Sequence, residues 1–234
     1  MNDDVYGIKK WGNDILEILE NGNIGLKNPF HPDNSPADLI KIIKSLNERG
    51  ISCPVLLRVT DYLAFRIKQI NNSFFRAIRE IRYKGEYKGV FPVKVNQQAQ
   101  VIDRIVEFGK EFDFGLEVGS KPELLIALAH DLSANSTIIC NGIKDREFIH
   151  LAILSIKIGF KTILVLESPR ELDLIIKISK ELNVRPLLGI RVKLTNKVSG
   201  NWSQSSGDRS AFGLSVEQVM EVINKLKIYD YLDC

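Results

Sequence analysis

Three charged side chains stand in apolar runs, where charge is costly. Lys94 lies in Gly89–Asn96 (GVFPVKVN), two residues before its end. Glu117 lies between Leu116 and Val118 in Phe114–Ser120 (FGLEVGS). Arg191 lies in Leu187–Val192 (LLGIRV). Each run reads as a strand, and in α/β sheets the working residues sit just past the carboxyl ends of strands. A lysine there is expensive unless it is paired or used. Its ammonium loses a proton cheaply when desolvated, and the neutral amine attacks an aldehyde. An unneutralised guanidinium in such a run calls for a carboxylate or phosphate. Glu117 is one candidate partner, either as a structural ion pair or as part of a binding pocket.

Period-two alternation puts Phe91, Val93 and Val95 on one face and Pro92, Lys94 and Asn96 on the other. If the valine face meets helices, Lys94 points into the mouth of a barrel. That is the residue type an aldehyde cofactor such as pyridoxal 5′-phosphate (PLP) requires. The competing reading is a lysine that snorkels out from a strand end. Pro92 cannot donate to a ladder, so it needs the start of the strand or a bulge.

Other polar residues have plainer readings. Ser120 suits a helix N-cap and Glu123 the third helical position of a capping box. Asn141-Gly142, after the strand ending at Cys140, is ordinary turn chemistry, although Asn141 also sits at a strand end. Ser199–Ser210, with Trp202, is the most polar segment and reads as a linker or a functional βα loop. His31, His130 and His150 are far apart in sequence, and His130 and His150 fall on helices as surface or packing residues. No H-E-x-x-H, P-loop or G-x-S-x-G pattern occurs, and no residue is assigned to a metal.

The elements that must position these residues follow a rhythm. Strand-like runs begin near Gly89, Asp113, Ser136, Lys161 and Pro186, at spacings of 24, 23, 25 and 25 residues. Between them lie amphipathic stretches at Ala99–Phe108, Glu123–Leu132, Glu147–Ile158 and Glu171–Leu182, with a fifth at Val216–Ile228. Alternation of this kind means βα units and a parallel sheet. An open doubly wound sheet and a (β/α)8 barrel both fit, but only about five units are present, and a barrel needs eight. Upstream, residues 15–27 carry an Asn-Gly hairpin signal and residues 28–36 a loop. Asp38–Arg49 reads as a helix stopped by Gly50. Pro54–Val59 reads as a short strand. Thr60 then caps a long helix with Leu63, Ile67, Ile70, Phe74, Ile78 and Ile81 on one face.

Composition removes whole classes. The 234 residues are 44% hydrophobic and 26% charged, the proportions of a globular chain. The formal net charge of +3 shows no basic footprint for nucleic acid. No stretch approaches the ~18 uncharged apolar residues of a membrane span. The polar start Met1–Asp4 argues against a signal peptide, and three scattered cysteines read as reduced thiols, so a cytoplasmic location is expected.

Several segments together resemble the biosynthetic arginine decarboxylases. They are Val90–Gln97, Gly115–Lys121, Ile139–Glu147, Phe212–Leu214 and, near the start, Tyr6–Asn13. The resemblance keeps its order over nearly the whole chain. It implies an α/β fold, a partial PLP-binding (β/α)8 TIM-type barrel at 61–234, preceded by a β-domain segment at 1–60. It implies decarboxylation of L-arginine to agmatine, an entry to polyamine biosynthesis. Lys94 would condense with PLP, and Glu117 and Arg191 would lie in the cofactor pocket. Mg2+ is an added requirement of the family, and a homo-oligomer is expected of the full-length protein. The family's cofactor-stacking His, glycine-rich phosphate loop, pyridine-binding acid and C-terminal β-domain have no counterpart here, and Ala211 replaces a usual Lys. An N-terminal fragment, with little or no activity alone, is therefore expected. The competing readings are a decarboxylase of ornithine, lysine or diaminopimelate, a non-catalytic PLP-binding barrel, and an inert remnant.

Overall fold

The computed structural model describes residues 5–193 and 212–234. The polar segment 199–210 with Trp202, Ala211 and residues 1–4 lie outside the described residues. Contacts divide the chain into two units, with the boundary between Ser73 and Phe74.

The first unit is built on the Asn-Gly hairpin. Strands β1 (Leu16–Ile18) and β2 (Ile24–Leu26) pair antiparallel across it, and Gly22 takes φ 82, a value that L side chains disfavour. Strand β3 (Ala37–Asp38) adds to β2. Asp38 then caps α2 (Leu39–Glu48) by accepting from the Ile40 and Lys41 N–H groups. Its other oxygen accepts from Asn21 and Asn23, so one carboxylate ties the turn to the helix. The single turn α1 (Ile8–Trp11) precedes the hairpin. Pro54–Val59 does not form a strand. A strand is a pairing, not a local conformation, and this run has no ladder partner among the described residues. Val55, Leu56 and Leu57 are accordingly exposed.

Helix α3 (Thr60–Glu80) begins where Thr60 allows, but its apolar stripe is not a buried face. Ile67 is buried, whereas Ile70 and Phe74 are exposed and Ile81 lies past the helix end. Phe74 stacks on Tyr87 at 3.8 Å.

The second unit is a five-stranded parallel sheet in the order β4–β5–β6–β7–β8. The strands are β4 (Val90–Pro92), β5 (Gly115–Val118), β6 (Thr137–Cys140), β7 (Lys161–Leu166) and β8 (Leu187–Ile190). Helices α4 (Ala99–Gly109), α5 (Lys121–Leu128), α6 (Arg146–Lys157), α7 (Pro169–Leu182) and α8 (Val216–Ile228) follow them in turn. Side-chain hydroxyls or carboxylates start four of these helices: Ser120, Asp145, Ser168 and Ser215 each accept a hydrogen bond from the first turn. Glu123 departs from the simple capping box, because its carboxylate accepts from the Gly119 N–H at 2.7 Å.

The two faces of this sheet differ. Leu116, Val118, Ile138, Cys140, Leu164 and Leu166 are all fully buried. Thr162, on the same face, hydrogen bonds Ser155 of α6 at 2.7 Å, so this face packs on the helices. Burying each aliphatic side chain contributes about 1.5–3 kcal/mol. The opposite face carries Glu117, Ile139, Ile163 and Val165, and its three aliphatic side chains are only half-buried. Gly115 permits the sheet to close up, since a Cβ there would lie 2.0 Å from the Thr137 carbonyl oxygen. No helix among the described residues is long and apolar enough to cross a membrane.

Strand β4 is shorter than the sequence suggests. It ends at Pro92, and Val93–Val95 turn as a 3-10 helix. A proline without an N–H cannot continue the ladder, so the alternation of valines fails. Val93 is fully buried while Val95 is exposed.

The Asp38 carboxyl is held below the usual range, first by the Asn23 hydrogen bond and against the cost of burial. A group with a depressed folded pKa stabilises above its unfolded pKa, and the benefit fades as pH falls through the folded one. Asp38→Ala is therefore expected to lower the urea midpoint at pH 7 and to make little difference well below about pH 3. Urea titrations at both pH values check this.

Candidate functional site

Parallel register decides what meets at the carboxyl edge. Pro92 pairs with Glu117, Glu117 with Ile139, Ile139 with Ile163, and Val165 with Gly189. These are the positions of the half-buried face. Two residues further on, just past the strand ends, come Asn141, Glu167 and Arg191, and Lys94 reaches the same edge from the 3-10 turn that follows β4. Glu117 itself sits one residue before the end of β5.

Glu117 is buried, with a side chain 8% exposed. Its Oε1 accepts from Asn141 Nδ2 at 2.9 Å and from Lys94 Nζ at 3.4 Å. Its Oε2 is buried with no hydrogen-bond partner among the described residues. The Lys94 side chain is 60% exposed. A desolvated amine, expected from the apolar run, is thus not what the 3-10 turn produces. The amine is open to solvent on one side and faces a buried carboxylate on the other.

Arg191 does not meet Glu117. Its Nη1 donates to Glu167 Oε1 at 2.9 Å, and its guanidinium lies 5.0 Å from the Phe212 ring centroid. Register explains the choice: the Arg191 N–H donates to the Leu166 carbonyl, so the residue after Leu166 is its direct neighbour. Glu167 Oε1 also accepts from the Gly142 N–H at 2.9 Å, and its Oε2 is a second buried oxygen with no partner among the described residues. Gly142 adopts φ 76, and a Cβ there would stand 2.8 Å from the Gly119 carbonyl oxygen. Asn141-Gly142 is a turn, as its residue types suggest, and it also supplies donors to two site carboxylates.

Glu167 and Asn141 are the residues that sequence reasoning undervalued. Glu167 directly follows the continuous apolar strand KTILVL, and that placement was a usable signal. His130 bridges Asp103 and the Ile126 carbonyl, which is a packing role. Among the described residues, no group of three or more His, Cys, Asp or Glu side chains could hold a metal.

Comparison with known proteins adds the chemistry. Residues 67–233 match the family described as pyridoxal-dependent decarboxylase, pyridoxal binding domain. The chain belongs to the pyridoxal-dependent decarboxylases. It is 45% identical over 229 residues to the biosynthetic arginine decarboxylase of Gloeobacter violaceus, covering 98% of this chain and 35% of that one. It is 47% identical over 222 residues to the same-named protein of Prochlorococcus marinus strain MIT 9312, covering 95% and 34%. The chain therefore spans about a third of the length of the curated relatives it matches. The crystal structure of the biosynthetic arginine decarboxylase from Campylobacter jejuni superposes with a TM-score of 0.83 at 33% identity, over 99% of this chain and 35% of that one. Diaminopimelate decarboxylase from M. jannaschii, solved with L-lysine, shares the fold with a TM-score of 0.65 at 22% identity, over 94% of this chain and 46% of that one. The five βα units are accordingly part of a TIM-type barrel fold, and its inner face is the face that carries Glu117.

The residues present fit a PLP group. Lys94 offers a primary amine that an incoming aldehyde can reach. Glu117 and Glu167 each keep one buried oxygen without a donor among the described residues, which a bound group bearing N–H or O–H donors would satisfy.

Two outcomes follow from the geometry. Asn141→Ala removes the shorter of the two hydrogen bonds to a buried carboxylate and is expected to destabilise the chain by about 1–3 kcal/mol. An unchanged urea midpoint would contradict this. Burial pushes the Cys140 thiol up to about 12. Iodoacetamide at pH 8 is expected to modify exposed Cys53 in the native chain and to spare Cys140 until urea is added, as peptide mass spectrometry would record.

Proposed function

We propose that this chain carries the PLP site of a decarboxylase that converts L-arginine to agmatine, with Lys94 as the amine that holds the cofactor. The observation that carries the reading is an accessible lysine amine 3.4 Å from a buried glutamate, at the carboxyl edge of a sheet matched by a pyridoxal-binding family. Arginine is favoured over ornithine, lysine or diaminopimelate because the relatives at 45–47% identity are named arginine decarboxylases.

When bound, PLP supplies the electron sink that accepts the pair left behind as the α-carboxylate departs. The chain's own part is to bind and orient. Lys94 presents Nζ at the mouth. Glu117 Oε1 accepts from that amine and keeps it beside the inner face, while Asn141 fixes the carboxylate's rotamer. Arg191 sets a cationic fork at the far side of the same edge, suited to a phosphate or carboxylate. Glu167 prevents the fork from swinging freely. A Mg2+ requirement and a homo-oligomeric assembly of the longer protein belong to the same reading through family likeness, with no residue assigned to the Mg2+, and the cytoplasmic location rests on the polar start and the scattered cysteines.

Incubation with PLP followed by borohydride reduction tests the site. The expected result is one pyridoxyl group, on the peptide containing Lys94, and none after Lys94→Ala. Added L-arginine is expected to lower that labelling more than equal ornithine or L-lysine does. Labelling spread over other lysines, unaffected by Lys94→Ala, would overturn the assignment.

A further inference from the structure

Lys144 is buried more completely than any site residue, with a side chain 0% exposed. An ammonium taken out of water costs several kcal/mol, which must be offset by close partners. Lys144 has two. Its Nζ donates to the Gly142 carbonyl at 2.5 Å and pairs with Glu171 Oε2 at 3.3 Å. Glu171, itself 5% exposed, accepts from two backbone groups as well: the Lys144 N–H at 2.9 Å through Oε1 and the Glu167 N–H at 3.0 Å through Oε2. One carboxylate thereby pins the loop after β6 to the loop after β7.

The arrangement leads to the cofactor edge. Gly142 is gripped at both ends, its carbonyl by Lys144 and its N–H by Glu167. Glu167 has its backbone held by Glu171 and its carboxylate bonded to Gly142 and Arg191. Two cations and two carboxylates thus form a balanced set across the ends of β6, β7 and β8. Its outermost member, the Arg191 side chain, is 47% exposed. An exposed guanidinium alone samples many rotamers, whereas one bonded to a fixed carboxylate keeps its direction.

We infer that Lys144 and Glu171 are positioning residues for the Arg191 guanidinium, acting on it through Glu167. The meaning of that role rests on Arg191 belonging to the cofactor pocket, but the link itself is measurable with no cofactor present. A loop-closing pair without this role would stabilise the fold and leave Arg191 unaffected.

A double-mutant cycle with Lys144→Met and Arg191→Met separates the two. The residues are not paired directly, so independent costs would add. The expected result is that Arg191→Met changes the unfolding constant at least about fivefold less in the Lys144→Met background than in the wild type. A matching change is expected in the side-chain 1H–15N resonances of Arg191, which broaden or move toward exposed-arginine positions in Lys144→Met. If Lys144→Met does not fold, Glu171→Gln takes its place in the same cycle and the same spectra. Additive costs together with unmoved Arg191 resonances would overturn the inference. Failure of PLP labelling at Lys94 would leave this outcome untouched and would count against the cofactor reading alone.

Discussion

A carboxylate removed from water must be met by donors, and at one edge of the parallel sheet three buried carboxylates are met by cations. Glu117, Glu167 and Glu171 are each less than a tenth exposed. Each is answered by a cation and by at least one amide from another strand end: Asn141 and Lys94 for Glu117, Gly142 and Arg191 for Glu167, Lys144 for Glu171. Because the strands run parallel, their carboxyl ends collect on one side, and residues 23 to 27 positions apart in sequence become neighbours. The shape of the site follows from that requirement. Each loop must arrive where its donor is needed.

The helix face of the sheet provides the rigidity for this. Fully buried aliphatic side chains lock the three central strands, β5, β6 and β7, against their helices, and capped turns lead from each of these strands into the helix that follows. The inner face is looser, with half-buried aliphatics and two carboxylate oxygens lacking donors among the described residues. Such an asymmetry suits a surface that holds a ligand. Stability resides on one side and unsatisfied chemistry on the other.

Lys94 shows how a local backbone event shapes function. Pro92 ends its strand four residues early, and the following 3-10 turn exposes the amine while keeping it within reach of Glu117. A strand continuing to Asn96 would have placed a lysine among valines. The turn instead yields an amine that a bulky aldehyde can approach and a carboxylate that can orient it.

The sequence by itself determined the elements. Strand starts lie within two residues of the apolar runs, α8 spans Val216–Ile228 as its pattern and Ser215 cap dictate, and Ser120 caps α5. Periodicity and capping are short-range physics, legible in a window of a dozen residues. The strand-end positions of Lys94, Glu117 and Arg191 were legible for the same reason. Pairing was not. Pro54–Val59 has strand composition and no partner, the stripe on α3 has helical spacing and little burial, and Arg191 meets Glu167 instead of Glu117. Lys144 and Glu171 carry no local signal, because what makes them matter is a contact across 27 residues. Only the register of neighbouring strands decides which charge faces which. Register is set by the whole sheet packing at once, and no single segment records it.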